Sequence, residues 1–209
     1  MKKLISSLLL ISLFSIVNAQ EKAITETGEI IIIYKDGTWK YQDKKDSVVS
    51  VITTNTKKFK KDKKSTFLLK SKKVNLGFWM NPKKWNFKKA TDNTEAEYEL
   101  QLKGGDLYAV IITEKVEIPL KTLKNIALEN AKSVAPDIKI IKEEYRIVNG
   151  KKVLLLQMNG TMQGIKFSYF GYYYSNKNGT VQFLTYTSQN LLDSYKKDCE
   201  LILNGIVEI

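Results

Sequence analysis

Histidine is missing from this chain of 209 residues, and cysteine occurs once. Without imidazole there is no Ser-His-Asp triad, no histidine-activated thiol and none of the commonest zinc sites. A lone cysteine cannot form an intramolecular disulfide, so stability must come from buried apolar surface. Cys199 falls on the apolar stripe of a helical pattern near the C-terminus and reads as a small buried hydrophobe, not a nucleophile. The expectation is a protein without enzymatic activity, holding no metal and no cofactor.

Long apolar runs are equally scarce. Residues 4–17 form one, after Lys2-Lys3 and ahead of Asn18-Ala19-Gln20. Its fourteen residues fall short of the roughly 20 that a spanning helix needs, and the small residues at its end read as a cleavage site after Ala19. No cysteine follows the run, which removes lipid attachment there. Residues 1–19 are therefore expected to be a secretory signal peptide of bacterial style. The remainder is expected to be soluble and extracytoplasmic, either periplasmic or secreted.

Acidic residues are sparse in one region. The formal net charge is +12, and between residues 57 and 89 there are thirteen lysines and a single acid, Asp62, so the rest of the chain sums to zero. Lys57, Lys58, Lys60, Lys61, Lys63 and Lys64 crowd together without an apolar stripe. Such a stretch repels itself, and residues 43–64 are expected to be a flexible linker, with a short strand conceivable only at 48–52.

What is present reads mostly as strand. Residues 28–42 suggest an N-terminal β-hairpin turning at Asp36-Gly37, which would put Ile30, Ile32, Tyr34, Trp39 and Tyr41 on one apolar face. An isolated two-stranded hairpin is marginal in water, so Tyr34, Trp39 and Tyr41 are candidates for docking on the main domain or on a partner. From residue 66 onward come two strands (66–69 and 74–80), an irregular turn at 81–85, and a hairpin (95–102 with 107–114). A helix opened by Pro119 runs to about residue 135, followed by a hairpin at Asn149-Gly150. The most aromatic stretch, 166–175, alternates Phe167, Tyr169 and Tyr173 with Phe170, Tyr172 and Tyr174, as a central strand does. Asn178-Gly179 suggests its turn, with Tyr174 opposite Phe183 on the returning strand. A last amphipathic helix over 189–204 carries Leu192, Tyr195, Cys199, Ile202 and Leu203 on one stripe, with Ser188 as its cap and Gly205 as its stop. The class expected is α+β: a mainly antiparallel β-sheet flanked by two helices. The divisions are 1–19 signal peptide, 20–42 hairpin, 43–64 linker and 65–209 domain.

This order of elements is similar to the PsbP/DcrB-like superfamily. The resemblance rests on Phe78-Trp79-Met80-Asn81-Pro82 with Trp85, on Asn149-Gly150-Lys151 before residues 153–156, and on the 172–187 hairpin followed by Tyr195-Lys196. It spans about residues 65–209 and implies an α/β/α sandwich whose members mostly act as non-catalytic binding or assembly factors. The chain has no histidine to match the metal-associated positions of the photosynthetic members.

Four groups of residues are candidates for contact with something else. The first, Tyr169, Tyr172, Tyr174, Tyr108 and Tyr186, could line an apolar or aromatic ligand site, core packing being the alternative. The second is the lysine set 57, 58, 60, 61, 63 and 64 together with Lys83 and Lys84, which would suit an anionic surface or glycan. It contains no arginine and no base-stacking platform, which argues against nucleic acid. Third, Trp79, Trp85 and Phe87 are interleaved with Lys83, Lys84, Lys88 and Lys89, either as exposed rings or as a core edge with snorkelling lysines. Fourth, Glu95, Glu97 and Glu99 alternate about 7 Å apart and read as a solvated strand face. The function these features suggest is a non-catalytic extracytoplasmic module binding a protein partner or cell-envelope component, with a small-ligand carrier and a polyanion binder as alternatives.

Overall fold

The computed structural model describes residues 21–25, 29–35, 37–42, 52–91 and 93–209. The expected signal peptide and most of the conceivable strand at 48–52 lie outside the described residues. The N-terminal region gains a strand over the expected hairpin: β1 (Glu21–Ile24), β2 (Ile30–Ile33) and β3 (Trp39–Tyr41) form a three-stranded antiparallel sheet. Its register is one residue away from expectation, Ile33 pairing with Trp39 and Ile31 with Tyr41. The cause is the loop. Three residues separate Tyr34 from Thr38, Gly37 adopts the left-handed conformation at φ 81, and its N–H donates to the Tyr34 carbonyl. A one-residue slip exchanges faces, so Trp39 and Tyr41 join Ile31 and Ile33, while Tyr34 faces the other way beneath Lys40.

The domain proper comprises β4 (Thr54–Phe59), β5 (Phe67–Lys70), β6 (Leu76–Met80), β7 (Trp85–Lys89), β8 (Ala96–Leu102), β9 (Tyr108–Glu114), α1 (Leu120–Val134), β10 (Lys139–Val148), β11 (Lys151–Met162), β12 (Ile165–Asn176), β13 (Gly179–Ser188), α2 (Leu192–Leu203) and β14 (Ile206–Glu208). An eight-stranded sheet has the order β4-β10-β11-β12-β13-β9-β8-β7, and β14-β6-β5 make a small second sheet. The fold is α+β and mostly sheet, as the strand-rich pattern implied. All its pairings are antiparallel except that of β4 with β10.

Alternation along β11 and β12 shows what each face does. Leu154, Leu156 and Tyr173 share a cluster with Leu123 and Ala127 of α1, whereas Val153, Leu155, Phe170 and Tyr172 share one with Leu192, Cys199, Ile202 and Leu203 of α2. The two helices therefore serve opposite faces. On the α2 face the same cluster takes in Leu76, Phe78 and Met80 of β6. Each fully buried Leu or Phe there contributes about 1.5–3 kcal/mol relative to exposure.

Four expectations change. Residues 54–59 are not linker but an edge strand, because a strand at an edge needs only one apolar side chain and one partner: Phe59 is buried, and the lysines face solvent. Lys57 and Lys58 on β4, like Lys88 and Lys89 on the opposite edge β7, place charge where unpaired backbone could otherwise recruit another chain. β7 itself begins at Trp85, where an irregular turn was expected. The β12–β13 turn falls at Lys177-Asn178, with Tyr174 opposite Val181 and Tyr172 opposite Phe183. At α2, Ser188 makes no capping hydrogen bond; it precedes the 3₁₀ turn Gln189–Leu191, and the chain beyond α2 continues as β14 against β6.

Candidate binding face

The tyrosine-rich strand divides its rings between two faces, so the five tyrosines of the candidate site are not one site. Tyr172 and Tyr174 point to the α2 side. The Tyr172 ring is fully buried; its hydroxyl accepts a hydrogen bond from Arg146 Nη1 at 3.0 Å and donates to Asn204 Oδ1 at 2.9 Å. Burial pushes its pKa up to about 12 despite the opposing pull of Arg146. Tyr174 donates to the Glu208 carboxylate at 2.5 Å and is likewise raised to about 12, by burial first and that hydrogen bond second. Both belong to the buried cluster on the α2 side.

Tyr169, Tyr186 and Tyr108 lie on the α1 side, at one level of β12, β13 and β9. Tyr108 and Tyr186 stack at 5.4 Å with planes 21° apart; Tyr169 meets Tyr186 edge-on at 6.1 Å, and Phe167 meets Tyr169 edge-on at 5.0 Å. Such pairs add about 0.5–1.5 kcal/mol beyond area burial. α1 packs on β11 and β12, and Tyr169 rests against the cluster of Ala131 and Ala135 at its end. The ladder runs from there away from the helix toward β9, each of its tyrosines half-buried. Asp106 and Gln101 both hydrogen-bond the Tyr108 hydroxyl, and the Asp106 bond is the main reason its pKa is raised. Tyr186 is raised by burial and then by the charge of Glu99, which is itself paired with Lys88 at 2.9 Å. Next to Phe167 the surface opens into a shallow hollow of about 510 Å³ lined by Ile165, Lys166, Ser188, Gln189 and Asn190.

The other candidates separate in the same way. Trp39 is 56% exposed and meets Tyr41 edge-on at 5.4 Å. Lys22 on β1 reaches Glu129 of α1 at 3.1 Å, so this sheet touches the domain through a charged contact. Trp85 is buried, whereas Phe87 is 42% exposed and packs on Phe67 and Tyr98. The three glutamates do not share a face. A bulge between Ala96 and Tyr98 turns Glu97 inward, where it accepts from Ser71 Oγ (2.7 Å), the Lys72 N–H (2.5 Å) and Thr113 Oγ1 (2.7 Å). Glu95 precedes the strand, and among the described residues no group of three carboxylates or thiols is arranged to hold a metal ion.

The most elaborate polar constellation was not singled out from the sequence. Arg146, the only arginine in the chain, is buried on the α2 side. Its Nε donates to Glu144 Oε1 at 2.5 Å, its Nη1 to Tyr172 and to Glu200 Oε1 at 3.1 Å, and Phe59 of β4 covers its guanidinium at 4.3 Å. Asn55 adds a donor to Glu144 at 3.3 Å. A planar fork with several donors is what such a cluster needs and what lysine lacks, so a lone arginine in a lysine-rich chain, two residues after a glutamate on a strand, was the available signal.

Burial alone would raise the Glu144 pKa, but the hydrogen bond and charge of Arg146 outweigh it and hold the carboxyl below its ordinary value. A lowered folded value gives stability that is complete above the unfolded pKa of about 4.3 and lost as pH falls through the folded one. The urea midpoint should therefore drop between pH 5 and pH 3. Glu144→Gln should start lower at neutral pH and fall less steeply; an unchanged slope in that variant would remove Glu144 from the account.

No family model and no curated protein matches this chain. Solved structures do match it. The chain is similar to cyanobacterial PsbP (CyanoP) from Synechocystis, with a TM-score of 0.51 and 14% identity over 68% of this chain and 92% of that one. The protein thus has a PsbP-like α+β fold, as the resemblance of its sequence implied. Two further structures match: a protein of unknown function from Pseudomonas aeruginosa described as a putative regulator (TM-score 0.45, 14% identity, 68% of this chain and 96% of that one). The other is LpqN of Mycobacterium tuberculosis, described as involved in cell envelope biogenesis (TM-score 0.42, 12% identity, 60% and 79%). Among the described residues no helix is long and apolar enough to cross a membrane.

Proposed function

We propose that the protein is a non-catalytic, extracytoplasmic binding module, and that Tyr108, Tyr186 and Tyr169 form the face it presents to a protein partner or envelope component. The observation that carries this reading is the half-buried tyrosine ladder, which runs across three central strands away from the helix on its side of the sheet. Aromatic rings with a polar tip are the side chains that most often anchor a contact. A carrier that held its ligand against Tyr172 and Tyr174 would need space that core packing fills. Covalent chemistry has little to draw on. The chain has no histidine, and burial pushes the Cys199 thiol up to about 11, far from thiolate formation at neutral pH. Export rests on the lysine-led apolar run at the start of the sequence.

The test is photocrosslinking in the cells that make the protein, with a photoreactive phenylalanine derivative replacing Tyr108 or Tyr186. A discrete adduct at both positions, and none with the same group at exposed Lys177, is the expected result. Equal adducts at all three, or none at the two tyrosines, would sink the proposal.

A further inference from the structure

The lysine-rich stretch converges with two distant segments on one recess. Its turn at residues 62–65 is fixed: Asp62 Oδ1 accepts the Lys64 N–H at 2.8 Å, the Ser65 N–H donates to the Asp62 carbonyl at 3.1 Å, and the Lys61 N–H donates to Asn149 Oδ1 at 2.9 Å. Lys61 Nζ also reaches the Ser65 carbonyl at 3.1 Å while lying 4.7 Å over the Trp79 ring. The loop at residues 81–84 is held as firmly, with the Asn81 carbonyl accepting from the N–H groups of Lys84 and Trp85, and Asn81 Oδ1 accepting from Lys83. Between these loops and α2 lies a recess of about 240 Å³. It is lined by Lys64 and Asp62 from the turn, Lys84 from the loop, and Lys197 and Asp198 from α2, with Ser65 and Asn81 as neutral polar groups and Trp85 among its apolar ones.

We propose that this recess binds a single phosphate- or sulfate-bearing sugar unit. Lysines from three separate segments line it. Lys84 is paired with Asp198 at 2.6 Å, and the Asp62 side chain is engaged by its own turn; Lys64 and Lys197 enter no ion pair among the described residues. With Asp198 matched to Lys84, the two remaining lysines outnumber the Asp62 carboxylate, which leaves an excess of one positive charge that an anion would relieve, and lysine is an effective point-charge partner for phosphate. Ser65 and Asn81 supply hydrogen-bonding groups suited to hydroxyls. The volume is below the roughly 300 Å³ at which drug-sized pockets begin, which suits a single sugar unit. A membrane surface is disfavoured because Trp85, the indole that lines the recess, is buried and does not project to enter lipid. The recess lies on the α2 side, so the proposal stands apart from the tyrosine face.

The experiment is calorimetric titration of the purified protein at low salt with glucose 6-phosphate, with glucose and inorganic phosphate as controls. Glucose 6-phosphate should bind, glucose should not, and phosphate alone should bind more weakly. The double variant Lys64→Gln/Lys197→Gln should weaken binding by about tenfold or more, whereas the charge-matched Lys57→Gln/Lys58→Gln on β4 should change it by less than about twofold. These are exposed side chains, and an unchanged melting temperature confirms that each variant folds. No binding of glucose 6-phosphate, or equal loss in both doubles, overturns the site. Inorganic phosphate binding as tightly as the sugar phosphate overturns the sugar assignment. So does binding, dependent on Lys64 and Lys197, to phosphatidylglycerol vesicles but not to the sugar phosphate.

Discussion

Arg146→Ala is expected to lower folding stability by about 3–5 kcal/mol, the range for breaking one side of a buried ion pair. The guanidinium holds Glu144, Tyr172 and Glu200 together and carries Phe59 on its face. Its removal leaves the Glu144 carboxylate in the sheet with Asn55 at 3.3 Å and Lys142 at 3.4 Å as remaining partners, and it opens a gap beneath Phe59. The cost is thus that of a stranded charge and does not measure the net worth of the pair, since charge and partner are both desolvated. The double variant Arg146→Met/Glu144→Met should accordingly recover much of the loss, because it removes both charges and keeps the volume. Urea unfolding monitored by tryptophan fluorescence reads both. A single variant within about 1 kcal/mol of the parent would mean that Arg146 is far less committed to its partners than its geometry indicates.

Gly205→Ala should cost about 3 kcal/mol or more, above the usual range for overpacking, because the clash is with backbone. A β-carbon there would sit 2.0 Å from the Trp79 carbonyl oxygen and 3.0 Å from that of Ile202. Neither can rotate away. The Gly205 carbonyl also accepts the Trp79 N–H at 2.8 Å, and the next residue, Ile206, pairs with Phe78 inside the α2-side core. The strain has one outlet, which is detachment of β14 from β6. Hydrogen exchange should show amide protection collapsing at residues 206–208 and on the facing β6 before the eight-stranded sheet responds. Retained protection with a loss below about 1 kcal/mol would show that the helix end adjusts instead.

The same glycine shows how far the sequence could be read. Gly205 was expected as a helix stop, and the helix does end there, but its φ is not positive and the reason for glycine is a carbonyl from a strand 126 residues earlier. Local signals were legible. Asn149 and Gly150 have φ 49 and 82 as a type I′ turn requires, and α1 begins right after Pro119. Asn178-Gly179 misled by one residue: the turn falls at Lys177-Asn178, neither of them with positive φ, and Gly179 at φ 138 stands in the ladder opposite Asn176. β4 and β14 were illegible for a shared reason: short, weakly patterned segments become strands only when a distant partner presents an edge, β10 for one and β6 for the other. For the candidate sites, strand parity already separated Tyr169 from Tyr172 and Tyr174, so grouping the three ignored information in the alternation itself. Lys197 could not have been placed beside Lys64 by any pattern, since their meeting depends on how α2 crosses the sheet.

Asn149 makes the two ends of the domain answer to one another. Its side-chain amide donates to the carbonyls of Asn204 (2.8 Å) and Ile206 (2.9 Å), its Oδ1 accepts from Lys61, and its backbone N–H donates to Phe59 at 2.9 Å. The segment after β4 and the segment before β14 thus share a single clasp at the tip of the β10–β11 hairpin. Fraying, which in most domains starts independently at either terminus, here has a joint cost: releasing one end frees part of the amide that restrains the other. The first and last strands of the domain are therefore thermodynamically linked though they touch different sheets.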